Sequence, residues 1–284
     1  MRFVLCLTFL LLSGCWDNMP KNSAMQLWLG DTIETTKKNL GSDLSSDSEL
    51  CWYRYRQPVR SGNFLTITLG GEKSRLEIQR VFAFSVPIYT QDDDKIELIS
   101  LNPLEVPEDS LHTEAESKFY ELLTSLQHAG WKRYIRLGEP RISGTELSKL
   151  GTVNEVLGKP VMTGPWSDPS IRLPEELWRS MPIFSDWSFY RGNEYLTVSI
   201  QREDSKKEPS KTGTYLFTLT FKSEKRFFSE YFDSSDRDRM KELLPDLLKK
   251  LASQRATAES RLKEMGVAID ERYQNPTISI LESH

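Results

Sequence analysis

The side chains that most often carry catalysis are scarce in this chain. It has three histidines, His112, His128 and His284, and three cysteines. Hydrolysis by nucleophilic attack needs a serine or cysteine beside a base, which is usually a histidine. The sequence contains no Gly-x-Ser-x-Gly, His-Glu-x-x-His, Cys-x-x-Cys, P-loop or Gly-x-Gly-x-x-Gly pattern. We therefore expect no catalytic residues, no metal site and no cofactor, and we predict that the protein is not an enzyme.

Three further sets of acidic or basic residues could take part in chemistry without a local motif. The paired carboxylates of a glycosidase carry no local motif, so that activity stays open at this point. Asp92-Asp93-Asp94 is too compact for an EF-hand loop, and we expect a solvated turn there. His112 and His128 lie at the two ends of one predicted helix, and we expect both at the surface.

The first fifteen residues indicate the cellular compartment. Arg2 precedes an apolar run over residues 3–12, which has the length of a signal-peptide core and is too short to span a bilayer. Leu12-Ser13-Gly14-Cys15 then resembles a bacterial lipobox. The resemblance implies removal of residues 1–14 and acylation of the Cys15 thiol. It places the chain on the periplasmic face of the bacterial cell envelope. Trp16 after the cysteine favours the outer membrane over the inner one, since an aspartate there marks inner-membrane retention in enteric-type sorting.

The rest of the composition is that of an ordinary globular protein. Residues 15–24 are predicted to form a lipidated tether, and no later stretch is long and apolar enough to cross a membrane. The formal net charge of −4 argues against a nucleic-acid partner, because nucleic-acid-binding surfaces carry a strong basic excess. Cys51 would have no disulfide partner in the mature chain, and we expect it to be a small buried side chain.

Strand patterns followed by helix patterns occur twice. They predict an α+β fold of two similar domains, each a mostly antiparallel sheet with helices packed on one face. The N-terminal domain is predicted over residues 25–145, a proline-rich linker over 146–182, and the C-terminal domain over 183–284. The strand pairs beginning at Trp52 and Trp187 read alike, which indicates either an internal duplication or a chance resemblance between strand pairs.

Helix boundaries can be predicted from capping residues and apolar spacing. Thr113 with Glu116 forms a capping-box pattern, and Gly130 lies where a terminal glycine is expected. A second apolar face begins at Met240, and Pro245 predicts a kink or break near Leu244. A shorter helix is predicted over 257–265 and a last strand over 277–281.

Aromatic and arginine side chains alternate along the predicted strands. Tyrosine, tryptophan and arginine dominate protein–protein hot spots. We therefore name Arg54, Arg56, Tyr190 and Arg191 as candidate partner-binding residues. For Trp52 and Trp187, packing in the core is the favoured interpretation.

Two resemblances bear on function. Leu29-Gly30-Asp31-Thr32 and the segment 151–160, each followed by aromatic strands, resemble small outer-membrane assembly lipoproteins and the tandem β-lactamase inhibitor protein. The overall plan is similar to that of type VI secretion immunity lipoproteins, although no individual residue carries that likeness. The expected function is thus an immunity protein that blocks the active site of a phospholipase-like toxin effector. The alternative is a structural or assembly lipoprotein of the envelope.

Overall fold

The structure is a computed structural model that describes residues 24–40, 45–47, 50–70, 75–89, 94–150, 155–156, 159–160 and 167–282. The predicted signal peptide, Cys15 and most of Asp92-Asp93-Asp94 lie outside these residues, as do the side chains of Cys51 and Trp52. The strands are β1 (Ala24–Leu27), β2 (Ser45–Asp47), β3 (Leu50–Arg56), β4 (Leu65–Leu69), β5 (Leu76–Tyr89), β6 (Leu98–Pro103), β7 (Ser110–Leu111), β8 (Lys132–Arg133), β9 (Glu155–Val156), β10 (Lys159–Pro160), β11 (Phe184–Arg191), β12 (Glu194–Asp204) and β13 (Thr212–Ser223). The helices are α1 (Ile33–Leu40), α2 (His112–His128), α3 (Gly144–Leu147), α4 (Glu175–Ser180), α5 (Glu224–Ser229) and α6 (Met240–Glu264).

Strands from both halves of the chain belong to one eleven-stranded sheet. Its main order is β1-β4-β5-β6-β13-β12-β11-β8, with β3 on β5, β2 on β3 and β7 on β13. Every pairing is antiparallel except that of β1 with β4. The halves join where β6 pairs with β13, from Leu98 opposite Lys222 to Leu101 opposite Leu219. The α+β class with a mostly antiparallel sheet is therefore confirmed, whereas the division into two similar domains is not.

The two similar strand patterns pair in different ways. β11 and β12 form a hairpin in which Arg191 opposes Glu194. Gly192 in its two-residue turn has φ 57°, a value suited to glycine. β3 and β4 both pair with β5, with β4 along its first part and β3 along its second. The sequence likeness therefore does not extend to the pairing of the strands.

One face of the sheet packs against α2 and α4 to form the main core. Phe119 of α2 contacts Trp187, with ring centroids 4.3 Å apart, and it also contacts Trp178 at 5.5 Å. Trp187 is 1% exposed, as expected for a core residue. At the end of α2, Gly130 adopts φ 86° and its N–H bonds to the carbonyl of Gln127 at 2.9 Å. This is the glycine-terminated helix end that the sequence predicts.

The C-terminal helix differs from the prediction. α6 runs from Met240 to Glu264 through Pro245, so no break occurs near Leu244, and the helix predicted over 257–265 is its last part. Pro245 removes one backbone hydrogen bond in the second turn, but Met240 and Leu244 are buried there and their packing stabilises the helix. Residues Ser279–Leu281 form a 3₁₀ turn, so the predicted strand over 277–281 is wrong.

The described part of the predicted linker contributes to the core. Asp168, Leu173 and Trp178 are each no more than 2% exposed. The limits of the tether, the linker and the two domains stay predictions. Within the described ranges, no helix combines the length and the apolar character needed to cross a membrane.

Candidate functional site

The second face of the sheet is lined by short polar side chains. Residues opposite each other in register point to the same side of a sheet, and neighbours along a strand point to opposite sides. The pairing therefore aligns two rows across six strands, polar at every position except Ala83, and we call them the hydroxyl face. Its rows are Arg54, Ser85, Ser100, Thr220, Thr197 and Ser188, and Arg56, Ala83, Asn102, Thr218, Ser199 and Asp186.

The exposure of these side chains shows which face β3 presents to solvent. Arg54 and Arg56 are exposed, whereas Tyr53 and Tyr55 between them are buried. Both tyrosine rings stack on Phe84, with centroids 5.3 and 5.8 Å away. The remaining members of the hydroxyl face are half-buried. Two of the predicted partner-binding residues, Arg54 and Arg56, thus lie on a polar face of the sheet.

Arg191 is engaged within the protein. Its guanidinium donates to the carboxylate of Glu194 at 2.6 and 3.0 Å and to the carbonyl of Ala129, just past the end of α2, at 3.3 Å. It also lies over the ring of Trp131, 4.6 Å from the centroid. These contacts hold the end of α2 against the β11–β12 turn, so they support a structural role for Arg191.

Tyr190 lies at the end of the sheet that α5 covers. Its ring meets Tyr134 edge-on at 6.4 Å, and the opposing Tyr195 stacks on Phe227 of α5 at 4.0 Å. Five strand spacings, about 24 Å, separate β11 from β3. The structure therefore does not bring Tyr190 and Arg191 together with Arg54 and Arg56.

Large apolar side chains lie exposed near one end of strands β11 and β13. Phe184 is 70% exposed, Ile183 is 58% exposed and Leu216 is 37% exposed. Phe184 and Leu216 flank Gln201 on adjacent strands, so they share the hydroxyl face. Ile183 precedes Phe184 in the chain, and alternation turns its side chain away from this face. We call Phe184 and Leu216 the apolar end. Sequence reasoning missed it, although alternation from the buried Trp187 would have placed Phe184 outward.

A small polar cavity lies where the segment 133–140 meets β11. It has a volume of about 20 Å³, and its lining includes Arg136, Glu139, Asp186 and Ser188. Burial raises the pKa of Glu139 to about 7, although nearby arginines oppose the shift. The space is about that of one water molecule and far below the size of a substrate pocket. Two carboxyl groups line this cavity, but it has no room for a sugar ring.

The structure contradicts the surface position predicted for His112. This side chain is 1% exposed, and its ring nitrogens lie 2.6 Å from Tyr215 Oη and 3.0 Å from the Pro209 carbonyl oxygen. β7 pairs with β13 just before α2 begins, and this long-range pairing draws the helix start into the core. His128 is exposed, as expected.

The described residues hold no cluster of histidine, cysteine, aspartate or glutamate that could bind a metal ion. Comparison with protein-family models, with curated proteins and with solved structures finds no match. The functional argument consequently depends on the hydroxyl face and its apolar end.

Proposed function

We propose that the protein is a lipid-anchored immunity protein of the bacterial envelope. Its partner would be a secreted protein toxin, most simply a phospholipase-like type VI effector whose active site it covers. The observation that carries the proposal is the apolar end: Phe184 and Leu216 stand exposed at the edge of a broad polar face. Exposed apolar patches rimmed by polar residues are typical of protein-interaction sites.

The hydroxyl face and the apolar end complement each other as an interface. Phe184 supplies an anchor that a partner can bury, which is how aromatic residues contribute most of the energy at hot spots. The serine and threonine hydroxyls can donate or accept hydrogen bonds toward a partner. Arg54 and Arg56, at the far side of the face, would pair with carboxylates of the partner. Such rim charges mainly affect the association rate and the register of binding.

Lipid attachment at the N-terminus is the third part of the proposal. The lipobox ending at Cys15 supplies the acylation site, and attachment to the periplasmic face would hold the interaction surface where an incoming toxin acts. Loss of acylation is expected to weaken protection by releasing the protein from the membrane.

Competition between strains tests this function. A strain lacking this gene should be killed by its parent, and should survive beside a parent whose secretion system is inactive. Wild-type protein should restore survival, and Phe184→Asp should restore it at least 10-fold less well. Met265→Asp is the matched control, because Met265 is 50% exposed and lies just past the end of α6.

Two results would contradict the proposal. Equal survival of the deletion strain beside both parents would show that this protein does not protect against a secreted toxin. An envelope defect in the deletion strain grown alone, such as detergent sensitivity rescued equally by Phe184→Asp and Met265→Asp, would favour the assembly lipoprotein instead.

A further inference from the structure

A groove of about 400 Å³ runs between α6 and the C-terminal segment. Leu248, Ala252 and Ala256 line it along α6, and Leu137 and Ile278 lie across from them. Its volume is within the range of small-molecule sites, about 300–1,000 Å³. Positions four apart share one face of a helix, so the alanines leave a channel along α6 that spans about 12 Å from Leu248 to Ala256.

At the groove, Arg141 and Glu259 form an ion pair in which both carboxylate oxygens accept hydrogen bonds. The guanidinium of Arg141 donates to both carboxylate oxygens of Glu259 at 2.8 Å, and the backbone N–H of Arg141 adds a third bond at 3.0 Å. The Arg141 guanidinium therefore neutralises the charge of Glu259.

Arg255 carries a second positive charge that no carboxylate in the described part of the chain contacts. The residue is 7% exposed, and its Nε and Nη2 donate to the backbone carbonyls of Glu139, Ile135 and Arg136 at 2.7 to 3.3 Å. Its Nη1 donates to Asn275 Oδ1 at 2.9 Å. All four acceptors are neutral. Burial also lowers the pKa of Arg255, which reflects the cost of enclosing this charge.

Two donor groups remain at the polar part of the groove. A guanidinium has five N–H groups, and four of those of Arg255 are used within the described residues. The side-chain amide of Asn275 accepts from Arg255 through its oxygen, which leaves its NH₂ available to donate. Arg255 and Asn275 both line the groove. An anionic oxygen placed there would accept both hydrogen bonds and compensate the buried charge.

We propose that this groove binds a fatty carboxylate, with its alkyl chain along α6 and its carboxylate on Arg255 and Asn275. The lining charges of Arg141, Glu259 and Arg255 leave one unmatched positive charge, which suits a monoanion. The wall along α6 is alkyl, so it would leave the amide groups of a bound peptide without partners. An unbranched alkyl chain has no such groups. This inference does not depend on the proposed toxin-binding function.

Calorimetric titration of the purified full chain with decanoate tests the proposal, with decanol and decyltrimethylammonium as neutral and cationic probes. We expect one saturable decanoate site and at least 10-fold weaker binding of the other two probes. Ala256→Phe should fill the groove and weaken decanoate binding at least 10-fold. Ser260→Phe, at an exposed position of α6 outside the groove, should bind as the wild type does.

A second variant tests the polar contact without removing the buried arginine. Asn275→Ala should weaken decanoate binding several-fold while leaving decanol binding unchanged. Equal affinity for decanoate and decanol, full binding by Ala256→Phe, or the absence of a saturable site would each overturn the proposal.

Discussion

The hydroxyl of Tyr215 lies 2.6 Å from Nδ1 of His112 and 3.2 Å from Nε1 of Trp178. The indole nitrogen can only donate, so the Tyr215 hydroxyl accepts from Trp178. The carbonyl oxygen of Pro209 can only accept, so Nε2 of His112 donates to it at 3.0 Å while Nδ1 pairs with the Tyr215 hydroxyl. One hydrogen-bond chain thus links α4, β13 and the start of α2.

Removing the Tyr215 hydroxyl should lower the free energy of unfolding markedly. Tyr215→Phe leaves the Trp178 N–H and the His112 Nδ1 buried without a partner, and each such group costs about 1–3 kcal/mol. We expect the free energy of unfolding in urea to fall by about 2–6 kcal/mol. Tyr55→Phe is the comparison, because that hydroxyl donates to the carbonyl of exposed Asn63 and its loss should cost about 1 kcal/mol. Similar losses for the two variants would contradict the chain of bonds inferred here.

Gly213 allows the close approach of β12 and of His112. A Cβ at this position would lie 2.9 Å from the carbonyl oxygen of Glu203 and 3.1 Å from Cε1 of His112. The first contact is with backbone, which cannot move without disturbing the ladder, so Gly213→Ala should destabilise the fold by about 1–3 kcal/mol. At Gly138 the added Cβ would meet flexible side-chain ends at 3.2 and 3.4 Å, and Gly138→Ala should cost less. Urea unfolding of both variants checks this order.

Local signals in the sequence predicted α2 and the burial of Trp187, although the break near Leu244 and the last strand were wrong. The apolar spacing after Thr113 and the glycine at position 130 indicated α2 and its end, and the observed helix is His112–His128. The helix has Leu111 at its N-cap and no side-chain cap, so the capping box predicted at Thr113 does not form. Alternation around Trp187 placed this residue in the core, where it lies. These features depend on residues within a few positions of one another, so the sequence pattern contains them directly.

The single sheet and the burial of His112 depend on long-range strand pairing, which the sequence pattern does not show. β6 and β13 are more than one hundred residues apart, and their pairing merges the two halves into one sheet. The pairing of β7 with β13 buries His112, although nothing near that histidine indicates burial. Of the candidate binding residues, Arg54 and Arg56 are exposed. The contacts of Arg191 with Ala129 and Trp131 come from a distant part of the chain and could not be read from its neighbours in sequence.

Because Arg191 is engaged within the protein and Arg56 is exposed, their replacement by alanine should affect the free energy of unfolding differently. Arg191→Ala removes the bonds to Glu194 and Ala129 and the contact with the Trp131 ring, and it should lower the free energy of unfolding by about 1–2 kcal/mol. Arg56→Ala changes an exposed strand residue and should stay within about 0.5 kcal/mol of the wild type. An unchanged stability for Arg191→Ala would return that residue to the list of candidate binding residues.

Glu139 should make stability depend on pH. Burial raises its pKa from 4.5 to about 7, so the folded protein keeps a proton that the unfolded chain releases. This carboxyl therefore stabilises the fold fully below about pH 4.5, and the contribution is lost as the pH rises through about 7. Between pH 5 and 8 the loss, reduced for partial exposure, is about 2 kcal/mol.

Glu139→Gln removes that titration and should flatten the pH profile. Its free energy of unfolding should decline by about 2 kcal/mol less than that of the wild type between pH 5 and pH 8. Glu176 lies exposed on α4, and Glu176→Gln serves as the charge-matched control with the wild-type slope. Parallel profiles for wild type and Glu139→Gln in urea unfolding would show that Glu139 does not titrate in this range.

Asp168 ties the proline-rich segment to the edge of the sheet. Its carboxylate, 2% exposed, accepts bonds from Arg133 at 3.0 Å, from the Gly144 N–H at 2.7 Å, and from the N–H and hydroxyl of Ser170 at 3.0 and 2.6 Å. Asp168→Ala leaves the half-buried Arg133 without its carboxylate, a change that costs about 3–5 kcal/mol in buried pairs. Hydrogen exchange should then show faster exchange at the amides of Gly144 and Ser170, with the amides of the β12–β13 ladder changed only by the global loss. Unchanged protection at Gly144 and Ser170 would mean that the segment is held by its apolar contacts alone, through Leu173 and Trp178.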